Sequence, residues 1–356
     1  MAAIAVLIGQ RGIGHNYASY DLLAYIDAVR RLRDGAPLYP QLVEDTYRLG
    51  EVSLYLYPPP VALLFAPALL VSLTVASAIW GIALTILAVA VAAWIAADVA
   101  PARRPLAFAM FIGAFPLQWE LANGNLTLVT LALALLSWHA WTGWRAAASL
   151  AFAMGLKLLA VPVALPLAIA GRRRLLVMTA VILMGIVVLT WPFLGTAWLD
   201  WIRLTVELAA GPPTRSYNVV PDLLRHGAGR VLLVGATLAA LVVTGLLVRA
   251  RQLTPALGFS AALSAAPYVS AFVFYPYAIL VLPVVVWLGL GAVRRVVRLA
   301  AFGAWILVDL QALDPDTVAP LALLGTAVAV TAAIAVGVWT PKPAAGPVVS
   351  PVGPAA

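Results

Sequence analysis

The chain of 356 residues has no cysteine, three histidines, and Asp, Glu, Lys and Arg at only 10% of its positions. Each shortage excludes something. Without cysteine there is no disulfide and no thiolate-bound metal, although compartment stays open. His15, His139 and His226 are scattered, with no His-x-x-x-His pair and no carboxylate cluster, so the spacing of a metal site is missing. Asp314-Pro315-Asp316 has the look of a divalent-ion motif, but Asp and Pro are ordinary turn residues between helices. A soluble domain carries about 25% charged residues, so this composition excludes one. A Gly-rich nucleotide phosphate loop is absent, as are an internal repeat and the short alternating segments of a membrane barrel.

What remains is apolar. Hydrophobic residues make up 64% of the chain, and long apolar runs recur from about residue 60 to 340. These runs predict an all-α polytopic membrane protein with one multi-spanning domain over 59–340. Residues 1–58 precede it as a stub and a polar loop, and the Pro/Ala/Gly-rich stretch 341–356 is expected to be a disordered tail. Met1–Gly9 is apolar but too short to span and lacks a signal-peptide pattern. It is read either as an interfacial stub or, preferably, as the remnant of a helix that lies upstream.

Apolar segments fall near 76–98, 105–118, 124–142, 145–171, 175–194, 228–248, 254–272, 273–291, 299–312 and 318–340. Arginines punctuate them as Arg103-Arg104, Arg145, Arg172-Arg173-Arg174, Arg249 with Arg251, and Arg294-Arg295 with Arg298. All these clusters reach one side, the cytoplasmic one by the positive-inside rule, if 145–171 is a bent hairpin and Pro58–Ser72 dips without crossing. That arrangement gives eleven crossings, the hairpin counting as two. The acidic residues then fall opposite, apart from Asp98: most lie in two outer loops, Gln10–Tyr57 and a second near 195–230, with Glu120, Asp309, Asp314 and Asp316 at other points on that side. The net charge of +8 is therefore topology, and nucleic-acid binding finds no support.

Between Asp21 and Arg33, apolar Leu22, Tyr25, Ile26, Val29 and Leu32 recur at helical spacing, with Asp27, Arg30, Arg31 and Asp34 on the other face. The pattern predicts an amphipathic helix lying along a membrane surface, apolar face down. Asp27 has ion-pair partners at Arg30 and Arg31. Asp21 has none nearby, so it is either a helix cap or a reactive carboxylate, two roles that are compatible. Tyr57-Pro58-Pro59-Pro60 closes the loop with a rigid extended corner.

These residues resemble a known family. Asp21, Tyr25, Ala28, Leu32, Gly35 and Leu38-Tyr39 resemble the first-loop signature of glycosyltransferase family 87. Tyr57-Pro58-Pro59-Pro60 with Ala66-Pro67 and Trp80, Gly124-Asn125-Leu126-Thr127, and Gly155-Leu156-Lys157-Leu158 with Pro162 are similar to its later blocks. Ser216-Tyr217-Asn218 matches more weakly, and Phe274-Tyr275-Pro276-Tyr277-Ala278 lacks the His or Asp that some members carry there.

The resemblance implies a GT-C-like helical bundle. It also implies inverting transfer of a mannose-like hexose or arabinofuranose from a polyprenyl-phosphate donor to a lipid or glycan acceptor, on the outer face of a bacterial inner membrane. Asp21 would be the general base, and no cofactor is implied. Such chemistry is sensible: the acceptor hydroxyl must lose a proton, while the phosphate leaving group needs cations rather than an acid.

Lys157, in the middle of an apolar stretch, is the candidate phosphate clamp, against the alternative of a snorkelling lysine. The turn at Asn123, Gly124 and Asn125 could present helix amides to an anion or be a plain N-cap. Tyr25, Tyr57 and Glu120 beside Trp119 are candidate substrate contacts, and Arg215 and Asn218 could reach the phosphate from the second outer loop. A transporter or flippase of a lipid-linked saccharide is the competing reading, although no repeat is visible and polar residues sit in outer loops. A further competitor is a subunit that kept the fold and lost activity.

Overall fold

A computed structural model describes residues 20–40, 55–140, 142–210, 219–270, 273–313, 318 and 320–339. Among the described residues the chain is helical, with no strand. The order is α1 (Tyr20–Arg33), α2 (Pro59–Leu63), α3 (Leu73–Ala97), α4 (Arg104–Ile112), α5 (Phe115–Asn123), α6 (Thr127–Leu135), α7 (Gly143–Leu156), α8 (Ala164–Ile169) and α9 (Arg173–Ala210). Then follow α10 (Asp222–Arg225), α11 (Gly227–Arg249), α12 (Pro255–Ala265), α13 (Leu282–Leu290), α14 (Arg295–Asp309) and α15 (Pro320–Trp339).

Four of these, α3, α9, α11 and α15, are long and apolar enough to cross a membrane. The segment Pro101–Ile112 and α5 form a fifth candidate, bent by 50°. Pro116 in the first turn of α5 cannot continue a preceding helix, and the chain is extended at Ala114, the cap of α5. The remaining apolar helices are shorter, so the described residues do not hold eleven separate full-length spans. Shorter apolar pieces do occur where half-spans were expected, at Pro59–Leu70 and Leu158–Ile169.

The 145–171 stretch breaks at Lys157, whose backbone is extended between α7 and a 3-10 turn, Leu158–Val163. Thr179 of α9 donates to the carbonyl of Ala147, and Gly155 faces Leu183. These pairings advance in the same direction, so α7 and α9 are parallel and the chain between them turns back. This is the expected bent hairpin, with Lys157 at its apex.

The second loop differs from expectation. α9 continues to Ala210, well past the expected span end, with a kink at Leu194 two residues after Pro192. Ala197 and Leu204 pack into the apolar core of the first loop, which gives this extension a buried face.

Contacts join the arginine clusters at one end of the bundle. Arg103 donates to the carbonyl of Leu290 at 2.8 Å, Arg298 to that of Gly291 at 3.3 Å, and Arg294 to that of Trp339 at 3.1 Å. Gly337 meets Leu247, and Gly245 meets Pro166 and Ile169, which brings in the ends of α11 and α8. Such small residues let helices approach closely. Arg172 lies 5.0 Å from the Trp138 ring, which stacks on Phe259. At the opposite end lie α1, the Pro corner, the α5–α6 turn and the hairpin apex.

Candidate active site

α1 forms because its apolar spacing is helical, and it ends at Gly35, whose φ of +67° lets the Ala36 amide reach back to the Arg31 carbonyl. Its apolar face does not lie on lipid. Tyr25 and Ala28 are wholly buried, and Leu22, Ile26 and Val29 nearly so, in a core shared with Tyr39, Tyr55, Tyr57, Val61 and Phe65. The surface-lying expectation is thus corrected. Amphipathicity records a buried face, and here the protein itself supplies the apolar partner.

The Pro corner arranges aromatic rings beneath that face. The Tyr25 hydroxyl donates to the Tyr57 hydroxyl at 2.8 Å, Tyr39 to the Tyr57 carbonyl at 2.8 Å, and Tyr55 to the Pro58 carbonyl at 2.9 Å. The ring of Tyr25 also meets that of Phe65, with centroids 4.4 Å apart. Tyr25 and Tyr57 therefore build the wall of the site from within rather than offering open faces to a sugar.

Asp21 stands in the first turn of α1 and remains partly exposed. Its Oδ2 accepts a hydrogen bond from Asn125 Nδ2 at 2.7 Å. On the other side of the same amide, Asn125 Oδ1 accepts from Lys157 Nζ at 2.5 Å. Lys157 also donates to Thr127 Oγ1 at 2.8 Å and lies over the rings of Tyr277, at 4.4 Å, and Tyr57, at 5.2 Å. With 5% exposure its ammonium is inside the protein, so the snorkelling alternative is set aside. Burial pushes the Asp21 carboxyl above its usual range, opposed by the charge of Lys157 and the hydrogen bond from Asn125.

The α5–α6 turn is held in place by Gly124. Its φ of +71° is a left-handed conformation, and a Cβ there would sit 3.1 Å from Trp80 and 3.3 Å from Leu22. Trp80 Nε1 donates to the Gly124 carbonyl at 2.8 Å. At the start of α6, Asn125 Oδ1 accepts from the Thr127 amide at 3.0 Å, and Glu120 Oε1 from the Leu128 amide at 2.8 Å. These two amides are taken by the protein's own side-chain oxygens, while the N-cap position itself, Leu126, has no side-chain cap. Glu120 is completely buried, with Oε2 left without a hydrogen-bond partner.

Against this geometry, the glycosyltransferase family 87 model matches residues 55–276, more than half of the chain. The chain belongs to glycosyltransferase family 87. Membership indicates a membrane glycosyltransferase. The comparisons with curated proteins and with solved structures match nothing. The family 87 match takes in Tyr57, Glu120, Asn125, Thr127 and Lys157 but begins after Asp21 and Tyr25. The place of Asp21 in the site therefore rests on its contact with Asn125.

Of the expected site residues in this family 87 chain, Asp21, Tyr25, Tyr57, Glu120, Asn125 and Lys157 come together. Arg215 and Asn218 lie outside the described residues. Arg225, expected to flank the membrane, is buried and paired with Asp222, while Arg230 donates to backbone carbonyls of Tyr268 and Ser270. Thr127 and Tyr277 were not among the expected site residues. For Thr127 the signal was the Asn125-x-Thr127 spacing at a helix start. For Tyr277 it was an aromatic beside Pro276 at a break in an apolar segment.

Proposed function

We propose that this family 87 enzyme moves a sugar, a mannose-like hexose or arabinofuranose, from a polyprenyl-phosphate donor to a lipid or glycan acceptor, with inversion. The observation that carries the reading is the partly exposed Asp21 carboxylate tied through one amide to the buried Lys157 ammonium. As the acceptor oxygen bonds to the anomeric carbon, its proton passes to Asp21. The bond from that carbon to the phosphate oxygen breaks, and its electron pair leaves with the polyprenyl phosphate. An activated donor needs one carboxylate for this, not the pair that a hydrolase uses.

Lys157 provides the positive charge for the departing phosphate. Two of its three N–H groups go to Asn125 and Thr127, which leaves one for a donor oxygen. Arg215 and Asn218 would complete the clamp from the second loop. The arginine clusters gather at the far end of the bundle, and Lys and Arg favour the cytoplasmic side, so the site faces outward from the inner membrane.

The test is incubation of the purified protein with labelled polyprenyl-phosphate mannose or polyprenyl-phosphate arabinofuranose and extracted membrane lipids as acceptors. Label in a new lipid or glycan product is expected from one of the donors. Transbilayer movement of intact donor in proteoliposomes, with no product formed, would instead establish the transporter reading.

A further inference from the structure

We propose that Asn125 is the positioning residue of the transfer reaction: it fixes the Asp21 carboxylate and links it to the Lys157 ammonium, and it does not bind substrate. This rests on the reading of Asp21 as general base. The argument is one of hydrogen-bond capacity. A primary amide offers one carbonyl oxygen and two N–H groups. The Asn125 oxygen accepts from Lys157 Nζ at 2.5 Å, the Thr127 amide at 3.0 Å and the Thr127 hydroxyl at 2.8 Å. Its acceptor side is saturated, so a sugar hydroxyl has no oxygen there to donate to; one N–H is given to Asp21, and with only 7% of the residue exposed the amide is shut off from a substrate.

The orientation of the amide is forced. Turning it over would put the carbonyl against the Asp21 carboxylate and the NH₂ against an ammonium and a backbone N–H. Each of those three contacts would become repulsive. The backbone beneath it is pinned as well, since the Asn125 amide donates to the Glu120 carbonyl at 3.2 Å and Trp80 latches Gly124. Asp21 is thus held by a donor with one orientation and one position, which is what a general base needs if its oxygen is to meet the acceptor proton. The other groups whose charge or dipole reaches Asp21 are Lys157 and Glu120, with the phenols of Tyr25, Tyr57 and Tyr277.

The experiment uses the full chain in nanodiscs with whichever labelled donor is active, and measures kcat, donor KM, thermal stability and the pH profile. Asn125→Asp keeps the size and places a second carboxylate against Asp21. Like charges oppose ionisation, so the acid limb of the profile should move to higher pH, by about one unit or more. At neutral pH, kcat should fall about tenfold or more while donor KM stays within about twofold. Asn125→Ser, a shorter polar side chain that adds no charge, guards against misfolding of the first variant. It should lower kcat with the same unchanged KM.

A rise in donor KM with kcat preserved would make Asn125 a substrate contact and overturn the proposal. Lower thermal stability with kcat and pH profile unchanged would leave only a structural role and overturn it equally. Asp21→Asn is measured alongside. If that variant stays active, it is the general-base reading that has failed, a result distinct from either outcome at Asn125.

Discussion

At one end of the bundle, arginines reach outward to backbone carbonyls: Arg103 to Leu290, Arg104 to Val99 and Ala97, Arg294 to Trp339, Arg298 to Gly291. At the other end, Asp21 and Lys157 are tied to Asn125, and buried Glu120 takes the Leu128 amide on one of its two carboxylate oxygens. The exposed arginines complement the negative ends of helices, an interaction of about 0.3–1 kcal/mol each. Glu120 and Lys157 have given up water, Asp21 only in part, and each depends on its neighbours. Several kcal/mol then hang on a single partner. Charge at the arginine end meets helix ends; charge at the other end meets other side chains, where the proposed chemistry would take place.

The sharpest way to break this comparison is Asp21→Asn. Asp21 is the second residue of α1 rather than its cap, and Asn there keeps the side chain's size and an oxygen for Asn125. Transfer should nevertheless fall by about 10²–10⁴-fold, since an amide cannot take the acceptor proton. Asp27→Asn on the same helix removes the exposed pair with Arg30, 2.9 Å long, and should change stability by under about 1 kcal/mol with transfer intact. Equal activity of Asp21→Asn and wild type, both folded and donor-bound, would remove the chemistry from this end of the bundle.

Lys157→Met comes next. It leaves Asn125 Oδ1 and the two carboxylates without their cation, so unfolding free energy should drop by about 2 kcal/mol or more. Donor KM should rise more than kcat falls, because a cation beside the lipid phosphate acts on ground and transition states alike. Lys157→Arg should recover part of the donor affinity. Unchanged affinity in Lys157→Met would leave the lysine a packing role alone.

The pH dependence of the wild-type enzyme sharpens the same contrast. Burial holds the Asp21 carboxyl above its usual range, and only the ionised form can accept a proton. Activity should therefore disappear, as pH falls, earlier than an ordinary carboxylate would dictate. The limb is read from kcat/KM against pH, and its loss in Asp21→Asn assigns it.

Smaller effects follow. Gly124→Ala forces a left-handed alanine against Trp80 and Leu22, at a cost of about 1–2 kcal/mol in thermal or denaturant unfolding. Activity should fall with it, since the same turn carries Asn125. Arg294→Gln, at the other end, should shift stability by under about 1 kcal/mol and leave transfer untouched. If Arg294→Gln were the more damaging of the two, the contrast between the ends would be wrong.

Much of this was legible in the chain because it depends on neighbours in sequence. Apolar runs set the membrane class, the 3.6-residue spacing of Leu22, Tyr25, Ile26 and Val29 set α1, and the isolated Lys157 marked the hairpin apex. Hydropathy also overstepped: it ended a span near residue 194, where α9 continues as a helix on the first-loop core. It could not tell lipid from protein as the partner of α1's apolar face, since both offer the same apolar surface.

What only the tertiary structure decided is how the polar groups are paired. Asn125 meets Asp21 across 104 residues and Lys157 across 32. Thr127 and Tyr277 enter the site beside residues far from them in the chain. Glu120, open in sequence to a sugar, is used on the amides of α6. Local pattern specifies that a residue is polar and on which helix it sits; the choice of partner is made by long-range packing, where an unsatisfied buried group is too costly to leave.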